Sequence, residues 1–478
     1  VDDTSPSLGQ RRGNLAALVG TRLIQATSGV LVAGITARYL GPDGLGLVRW
    51  VVSVTAIATF GANLGLHAWV TREVAKDPPL AGAVLPGAWT ATALLSLLTG
   101  VGITAYAAVF DGRPEVVVAA AFSALGLWWQ AATQMVTAVF HGLHRVRVEV
   151  KPTLWGRLVY VAAHATLLPF GAGLGALFAG RAVANLTTLW GLLAAYRREI
   201  GPIRLLGTVA EVRRVLAQGR AFGATVLFGA IYAQADVLMM AELRGERDVG
   251  IYAAAAQLVL QTTFFAHVVS RALFPRLVAS ASEPERLAEE LSFEVRIHLF
   301  VSLGVGVVAA ALAGPIVHVV FGPGFEAAVP CLQVLALGLP LKFVSNGLGM
   351  ALTAIGRQGR RARVDGAAAL FNLAINLAII PVAGPFGASV TTLATDLLLV
   401  VLLWWVVRAV VPTFRPFGSA IRAALAFVAA FAAGQVVHLG DGWVQLVVGG
   451  ALVSAVYVGA ALGLRVLTVP ELRRLLKA

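Results

Sequence analysis

Stretches of about twenty predominantly apolar residues follow one another from Leu15 to Leu464, each ended by a short polar or Gly/Pro-rich break. A helix rises 1.5 Å per residue, so about 20 such residues cross a hydrocarbon core of about 30 Å. The pattern predicts fourteen spans, near 16–38, 46–67, 82–109, 115–139, 153–171, 174–195, 218–241, 249–272, 294–320, 329–354, 364–382, 385–408, 419–439 and 442–464. The predicted fold class is therefore an all-α integral membrane protein. Its organisation reads as a tail (1–15), an N-lobe of six spans (16–196), an amphipathic linker (197–217), a C-lobe of six spans (218–408), two further spans (409–464) and a second tail (465–478).

Composition agrees with the periodicity. Of 478 residues 58% are hydrophobic and only 13% are charged, against roughly 25% charged in soluble chains. The net charge of +13 would suggest nucleic acid if gathered on one wet face, but it follows the connections instead. With the first residues inside, most Lys and Arg fall on one side; Arg38, Arg49, Arg113, Arg244 and Arg247 fall on the other, while Arg22, Arg181 and Lys342 lie within spans. The positive-inside rule then puts both tails in the cytoplasm. No nucleic-acid partner is needed to explain the charge; membrane lipids are the surroundings it implies. Segment 1–13 lacks the small-residue cleavage pattern of a signal peptide, so the first span is expected to be retained. Trp50, Trp69, Trp155 and Trp443 near span ends suggest an interfacial belt.

The two lobes echo each other. Ala37, Gly41, Gly46, Leu47, Ala68 and Arg72 align at one constant separation with Ala241, Gly245, Gly250, Ile251, Ala272 and Arg276. At slightly larger separations Val109 and Phe110 match Val320 and Phe321, and Pro169, Gly175 and Ala176 match Pro381, Gly387 and Ala388. Each repeat holds an even number of spans, so both enter the membrane in the same direction, as in transporters that handle substrate between parallel halves. The last two spans lie outside the duplication.

Four segments carry a family resemblance: the turn from Tyr39 to Leu47, its counterpart Asp248 to Tyr252, the loop Phe321-Gly322-Pro323-Gly324-Phe325, and the run from Asn372 to Ala388. Together they resemble the polysaccharide transport family, the O-antigen and exopolysaccharide flippases of the multidrug/oligosaccharidyl-lipid/polysaccharide exporter superfamily. The resemblance implies a multi-pass protein of a bacterial or archaeal plasma membrane with a MATE-like flippase fold. It would turn an undecaprenyl-diphosphate-linked oligosaccharide from the inner to the outer leaflet by alternating access of two lobes, serving a polysaccharide polymerase and chain-length machinery. Related readings are a peptidoglycan-precursor flippase and a drug/ion antiporter.

Polar residues inside spans are the site candidates, because a charge at the centre of a membrane helix costs about 2.5 to 3.5 kcal/mol on insertion scales. Arg22 has Gln25 one turn along, and the resemblance puts this first helix at the cleft between lobes, where a guanidinium could grip a diphosphate; the alternative is snorkelling to the interface. Arg181 with Asn185 forms a stripe facing its own bundle or the cleft. Arg38 and Arg49 flank the first outer turn, where they would hold the diphosphate after reorientation. Gln257 and Gln261 would suit sugar hydroxyls; Gln130 and Gln134 read as glue between helices. Lys342 and Asp396 lie at similar depth and read either as a structural ion pair or as a site where Asp396 exchanges a proton or sodium ion. Asp236, with Tyr232 one turn before it, is a further coupling candidate, a sugar contact or a helix-end residue.

An enzyme is disfavoured. A membrane glycosyltransferase or ligase would need acid/base or metal-holding groups gathered in a loop, and the outer connections are too short for one. The single Cys331 excludes an intramolecular disulfide, the His residues are scattered, and no metal or organic cofactor is expected. No GxxxxGK[ST] loop occurs, so transport would draw on an H+ or Na+ gradient, the membrane potential or consumption of the product.

Overall fold

The computed structural model describes residues 8–414, 417–436, 440, 442–467 and 471, with side chains described except at 8–12, 14–16, 18, 219–232 and 417–419. Residues 1–7 of the first expected tail and most of the second thus lie outside the described residues, as do the side chains of Arg11, Arg12 and Tyr232. Among the described residues all regular structure is helical: α1 (Leu8–Asn63), α2 (Leu66–Lys76), α3 (Ala81–Tyr106), α4 (Pro114–Gly142), α5 (Val150–Leu167), α6 (Leu174–Glu199), α7 (Val209–Arg244), α8 (Glu246–Ala279), α9 (Pro284–Ala311), α10 (Ala313–Phe321), α11 (Ala328–Ala354), α12 (Gln358–Arg408), α13 (Phe417–Val436) and α14 (Gly450–Gly463). Nine helical segments among these residues are long and apolar enough to cross a membrane.

Helices and predicted spans do not correspond one to one. A straight helix of 56 residues would be about 84 Å long, far more than a bilayer core, and α1 is broken at Gly41 (φ 67°, ψ −171°), just before Pro42. The first two predicted spans thus become the two arms of α1. Likewise α12 is broken at Gly384 (φ 52°, ψ −136°), and the ninth predicted span is shared between α9 and α10. Gly245, between α7 and α8, has φ 91° and ψ −179°. Gly41 and Gly245 are a matched pair of the internal repeat, and they adopt nearly the same backbone conformation, one that a side chain disfavours.

The chain packs as two units, Val1–Leu238 and Met239–Ala478. In the N-terminal unit α2, α3, α4 and α6 share a core built on Leu85, Met135, Phe140, Leu192 and Tyr196. Thr55 of α1 and Ser123 of α4 hydrogen-bond at 2.6 Å within it. On the opposite face of α3, Leu94, Leu97, Leu98 and Val101 are all more than half exposed, as a lipid-facing surface requires. Trp155 and Trp443 are also exposed, consistent with a belt. Trp50 and Trp69 are buried instead: Trp50 stacks on Tyr106 with centroids 6.2 Å apart, and Trp69 belongs to the core.

In the C-terminal unit α9 is the central post. Leu291 and Leu299 of α9, Leu348 and Leu352 of α11, Ala426 of α13 and Tyr457 of α14 pack into one core. The Tyr457 hydroxyl donates to the Phe300 carbonyl at 2.8 Å. The two helices outside the duplication are therefore integral to this unit. The loop after α10 is closed by Phe325, fully buried and packed against Phe321 with the rings tilted by 36° and centroids 5.6 Å apart. There the exposed Glu326 carboxyl, accepting backbone N–H groups of its own residue and of Gly324, is held below the usual carboxylate range.

The predicted linker differs in detail. Residues 201–207 are irregular, and the amphipathic segment beyond them is the first part of α7 itself. The helix starts there because Thr208 and Glu211 form a capping box: the Thr208 N–H donates to Glu211 Oε2 at 2.6 Å, and the Glu211 N–H donates to Thr208 Oγ1 at 3.3 Å. Thr90 of α3 pins the approach, accepting from the Gly207 N–H at 2.8 Å and donating to the Leu205 carbonyl at 3.2 Å.

Two outcomes follow from these local devices. Gly41→Ala and Gly245→Ala should each destabilise the protein by about 1–2 kcal/mol, seen as a lower unfolding midpoint in detergent, whereas Gly20→Ala, in helical backbone with open space around it, should not. Thr208→Ala should speed hydrogen exchange in the first turn of α7 about five-fold. The Glu211 carboxyl is held below its ordinary value chiefly by the Thr208 N–H, with Arg204 assisting. Its contribution is therefore present above the ordinary glutamate pKa, and the same exchange protection should fade as pH falls through the lowered value.

Candidate functional site

Three arginines on three helices of the N-terminal unit approach one another. Arg22 on α1 is exposed, and its Nη1 donates to Gln25 Oε1 at 3.1 Å. Arg157 on α5 is half-buried, about 10 Å into the helix from Val150, with its guanidinium carbon 5.9 Å from the Tyr160 ring centroid. Arg181 on α6 is half-buried as well. Arg22 and Arg181 both lie close enough for their charges to act on Arg157, and the charge of Arg181 reaches His164 on α5.

What sets these three apart is that they lie within predicted spans and, like the exposed Arg72, Arg197 and Arg198, have no carboxylate partner among the described residues. Arg113 pairs with Asp111 at 2.7 Å, Arg145 with Glu199 at 3.4 Å and Arg204 with Glu211 at 3.3 Å, all near helix ends or in connections. Among the described residues no carboxylate lies within ion-pair distance of Arg22, Arg157 or Arg181. Like charges in a partly dry setting repel, so the group favours an anion, and planar guanidinium forks suit the paired oxygens of a phosphate. Arg157 falls inside the predicted fifth span, and that position is the sequence signal that marks it alongside Arg22 and Arg181.

The polar neighbours sort into glue and lining. Asn185 on α6 donates to the Gly126 carbonyl of α4 at 3.0 Å, and Gln134 of α4 bonds Asn63 of α1. Both tie helices together, as read for Gln134. Arg181, Asn185 and Gln130 border one narrow crevice with Thr55 and Ser123, too tight to hold a water molecule. Arg38 and Arg49 stand beside the Gly41 break; Arg38 is about 24 Å from Arg22 along α1. The structure therefore does not bring these two together with the arginine group.

In the C-terminal unit Lys342 of α11 and Asp396 of α12 form an ion pair, Nζ lying 3.0 Å from Oδ1 and 2.9 Å from Oδ2. Beside it Asn372 Nδ2 donates to Thr395 Oγ1 at 3.1 Å, and Asn376 Nδ2 to Asn372 Oδ1 at 3.1 Å. Gln257 and Gln261 are half-buried on α8 and make no hydrogen bond to a described residue. Asp236 is half-buried near the end of the N-terminal unit, on α7. Among the described residues no group of His, Cys, Asp and Glu has the arrangement of a metal site.

Comparison with known proteins gives this arrangement a context. The chain is 23% identical over 374 residues to the probable low-salt glycan biosynthesis flippase Agl15 of Haloferax volcanii, covering 76% of this chain and 77% of the relative. It is 30% identical over 135 residues, 27% of its length, to the uncharacterized membrane protein MJ1068 of Methanocaldococcus jannaschii. Among solved structures, the inward closed conformation of the lipid II flippase MurJ superposes with a TM-score of 0.75 at 12% identity, covering 93% of this chain and 97% of that one. An inward-facing multidrug resistance MATE transporter of the MOP superfamily gives 0.66 at 15% identity, covering 81% and 95%. The fold is thus that of MurJ and the MATE transporters. Agl15 and MurJ are named as flippases and the MATE protein as a transporter, in agreement with the reading of a membrane protein that is not an enzyme. The sequence profile of the family described as polysaccharide biosynthesis protein matches residues 35–330, more than half of the chain, and the protein belongs to that family.

Proposed function

We propose that the chain is a flippase for a lipid-linked glycan, and that Arg22, Arg157 and Arg181 hold the phosphate groups joining lipid to sugar. The observation that carries this reading is the convergence of three guanidinium groups with no carboxylate partner among the described residues. An exporter of cationic drugs calls for the opposite charge at such a place. The expected substrate is an undecaprenyl-diphosphate-linked oligosaccharide. Its diphosphate supplies several anionic oxygens, enough for more than one bidentate guanidinium contact. Gln257 and Gln261, without a hydrogen-bond partner among the described residues, are suited to sugar hydroxyls. Alternating access of the two units would carry the head group across while its prenyl tail stays in lipid, and a polymerase on the far side would consume the product.

The test is translocation of a fluorescent undecaprenyl-diphosphate glycan by the purified protein in liposomes. Loss of a charged hydrogen bond is worth about 1.5–3 kcal/mol, so Arg22→Ala, Arg157→Ala and Arg181→Ala should each slow translocation roughly ten- to a hundredfold. Arg204→Ala, in the α6–α7 connection, should leave it unchanged. Wild-type rates in all three variants would overturn the anion site, and a chemically altered glycan would overturn transport itself. Equal rates with a peptidoglycan-type lipid would widen the substrate class to diphosphate lipids in general.

The Lys342–Asp396 pair is read as structural. Removing one partner leaves a buried charge, a loss of about 3–5 kcal/mol, so Lys342→Ala should lower the unfolding midpoint markedly. The double variant Lys342→Met/Asp396→Leu should recover both midpoint and translocation. Recovery of the midpoint without translocation would make Asp396 a coupling group instead.

A further inference from the structure

A second polar cluster lies deep in the C-terminal unit, apart from the arginines. Glu294 and His298 stand one turn apart on α9, and both side chains have no solvent exposure at all. Glu294 Oε1 accepts from the Ser270 hydroxyl of α8 at 2.8 Å, while Glu294 Oε2 has no hydrogen-bond partner among the described residues. His298 Nε2 lies 3.3 Å from the Ala266 carbonyl of α8 and 3.4 Å from Ser270 Oγ. A carbonyl only accepts, so the proton on the neutral ring sits on Nε2 and leaves Nδ1 as the basic nitrogen. That Nδ1 is the atom 3.9 Å from Glu294 Oε1. Phe343 of α11 closes one side, edge-on to the imidazole with centroids 6.0 Å apart. Gly347 of α11 closes another: a Cβ there would stand 3.1 Å from His298 Nδ1 and 3.2 Å from Glu294 Oε1.

We propose that Glu294 and His298, with Ser270, form a proton-binding site whose loading follows the packing of α8, α9 and α11. The pair has two low-cost states, a neutral acid beside a neutral imidazole and a carboxylate beside an imidazolium. Each holds one exchangeable proton, on the Glu294 carboxyl in the first and on His298 Nδ1 in the second, and the 3.9 Å from Oε1 to Nδ1 must shorten for it to pass between them. Release passes that proton to water and leaves a carboxylate and a neutral ring, one negative charge in a dry pocket without a cation. Such a charge is strongly disfavoured unless water or a cation reaches it. The proton therefore leaves only from a conformation in which the three helices part enough to hydrate Glu294. A ligand that binds two conformations unequally shifts their balance, and here the ligand is a proton.

The charged and titratable groups on the packed elements are already engaged or lie outside the pocket. On α8, His267 meets Asn346 Nδ2 at 2.9 Å, Arg271 is exposed, and Arg276 pairs with Glu290 of α9 at 2.7 Å. Arg296 of α9 pairs with Glu471 at 2.7 Å, and Lys342 of α11 pairs with Asp396. Arg422 of α13 binds the Arg465 carbonyl, and Tyr457 of α14 donates to Phe300. Of these, His267 is near enough for its charge to act on His298.

The proton site stands on this geometry alone; its use in transport rests on the flippase reading. Infrared difference spectra of the full chain in lipid nanodiscs, recorded across a pH series, test the first part. Wild type should show a carboxylic-acid band that Glu294→Gln abolishes and that His298→Asn and Ser270→Ala each shift. A band unchanged in Glu294→Gln overturns the site. Translocation in liposomes at the same pH values tests the second part. The pH profile should flatten in Glu294→Gln while the Arg157 variants keep the wild-type profile at a lower rate. An unaltered profile in Glu294→Gln overturns the coupling and leaves the infrared result standing.

Discussion

Hydrocarbon offers no hydrogen bonds, and the rest of this molecule follows from that. Every backbone N–H and C=O at membrane depth must find its partner within the chain, so the described residues form helices, and breaks such as Gly41 and Gly384 are confined to a single glycine next to a proline. The same constraint sorts the side chains. Threonines return their hydroxyls to the carbonyl one turn back, as Thr55, Thr99 and Thr391 do, and amides such as Asn185 and Gln134 reach across to a neighbouring helix. Against that background of satisfied groups, the exceptions carry information. Among the described residues two features stand out: three arginines within spans with no carboxylate partner, and a fully buried glutamate with one carboxyl oxygen unpartnered.

The two exceptions sit in different units and call for different remedies. Arginine keeps its charge under almost any conditions, so the arginine group can be satisfied only by a visitor with negative charge. Glutamate can be satisfied by a proton, which needs no room. A carrier of an anionic head group has use for both: a fixed positive grip on the cargo, and an adjustable charge elsewhere that makes one conformation easier to reach than another. The Lys342–Asp396 pair shows the third solution, mutual neutralisation inside the chain.

Depth along a span was legible in the sequence, and so was the repeat, because both are one-dimensional properties. The sequence pattern predicts fourteen crossings, nine helical segments among the described residues are long and apolar enough to cross, and the pairing of Gly41 with Gly245 reappears as a shared backbone conformation. The rotation of each helix about its own axis was not legible. Trp50 and Trp69 sit at plausible belt depths yet point into the core. Arg22 and Arg181 were singled out by depth, but Arg157 was lost to a boundary assignment. Glu294 was overlooked because it opens the predicted ninth span, where a charge looks cytoplasmic. Only the packing of α8 and α11 over that turn of α9 reveals that water is excluded from it.

The position of α13 and α14 has a consequence for how the protein is made. In the N-terminal unit the partners α2, α3, α4 and α6 emerge in close succession, so their core assembles from neighbours in translation order. In the C-terminal unit α9 waits for Ala426 of α13 and Tyr457 of α14, which leave the ribosome after α10, α11 and α12. Until then the surface of α9 that they cover, including the Phe300 carbonyl that Tyr457 later engages, is open to lipid or to insertion factors. A nascent chain stalled before α13 would therefore hold a finished first half and an unfinished second. Quality-control proteases could tell truncated from complete molecules by that one uncovered helix.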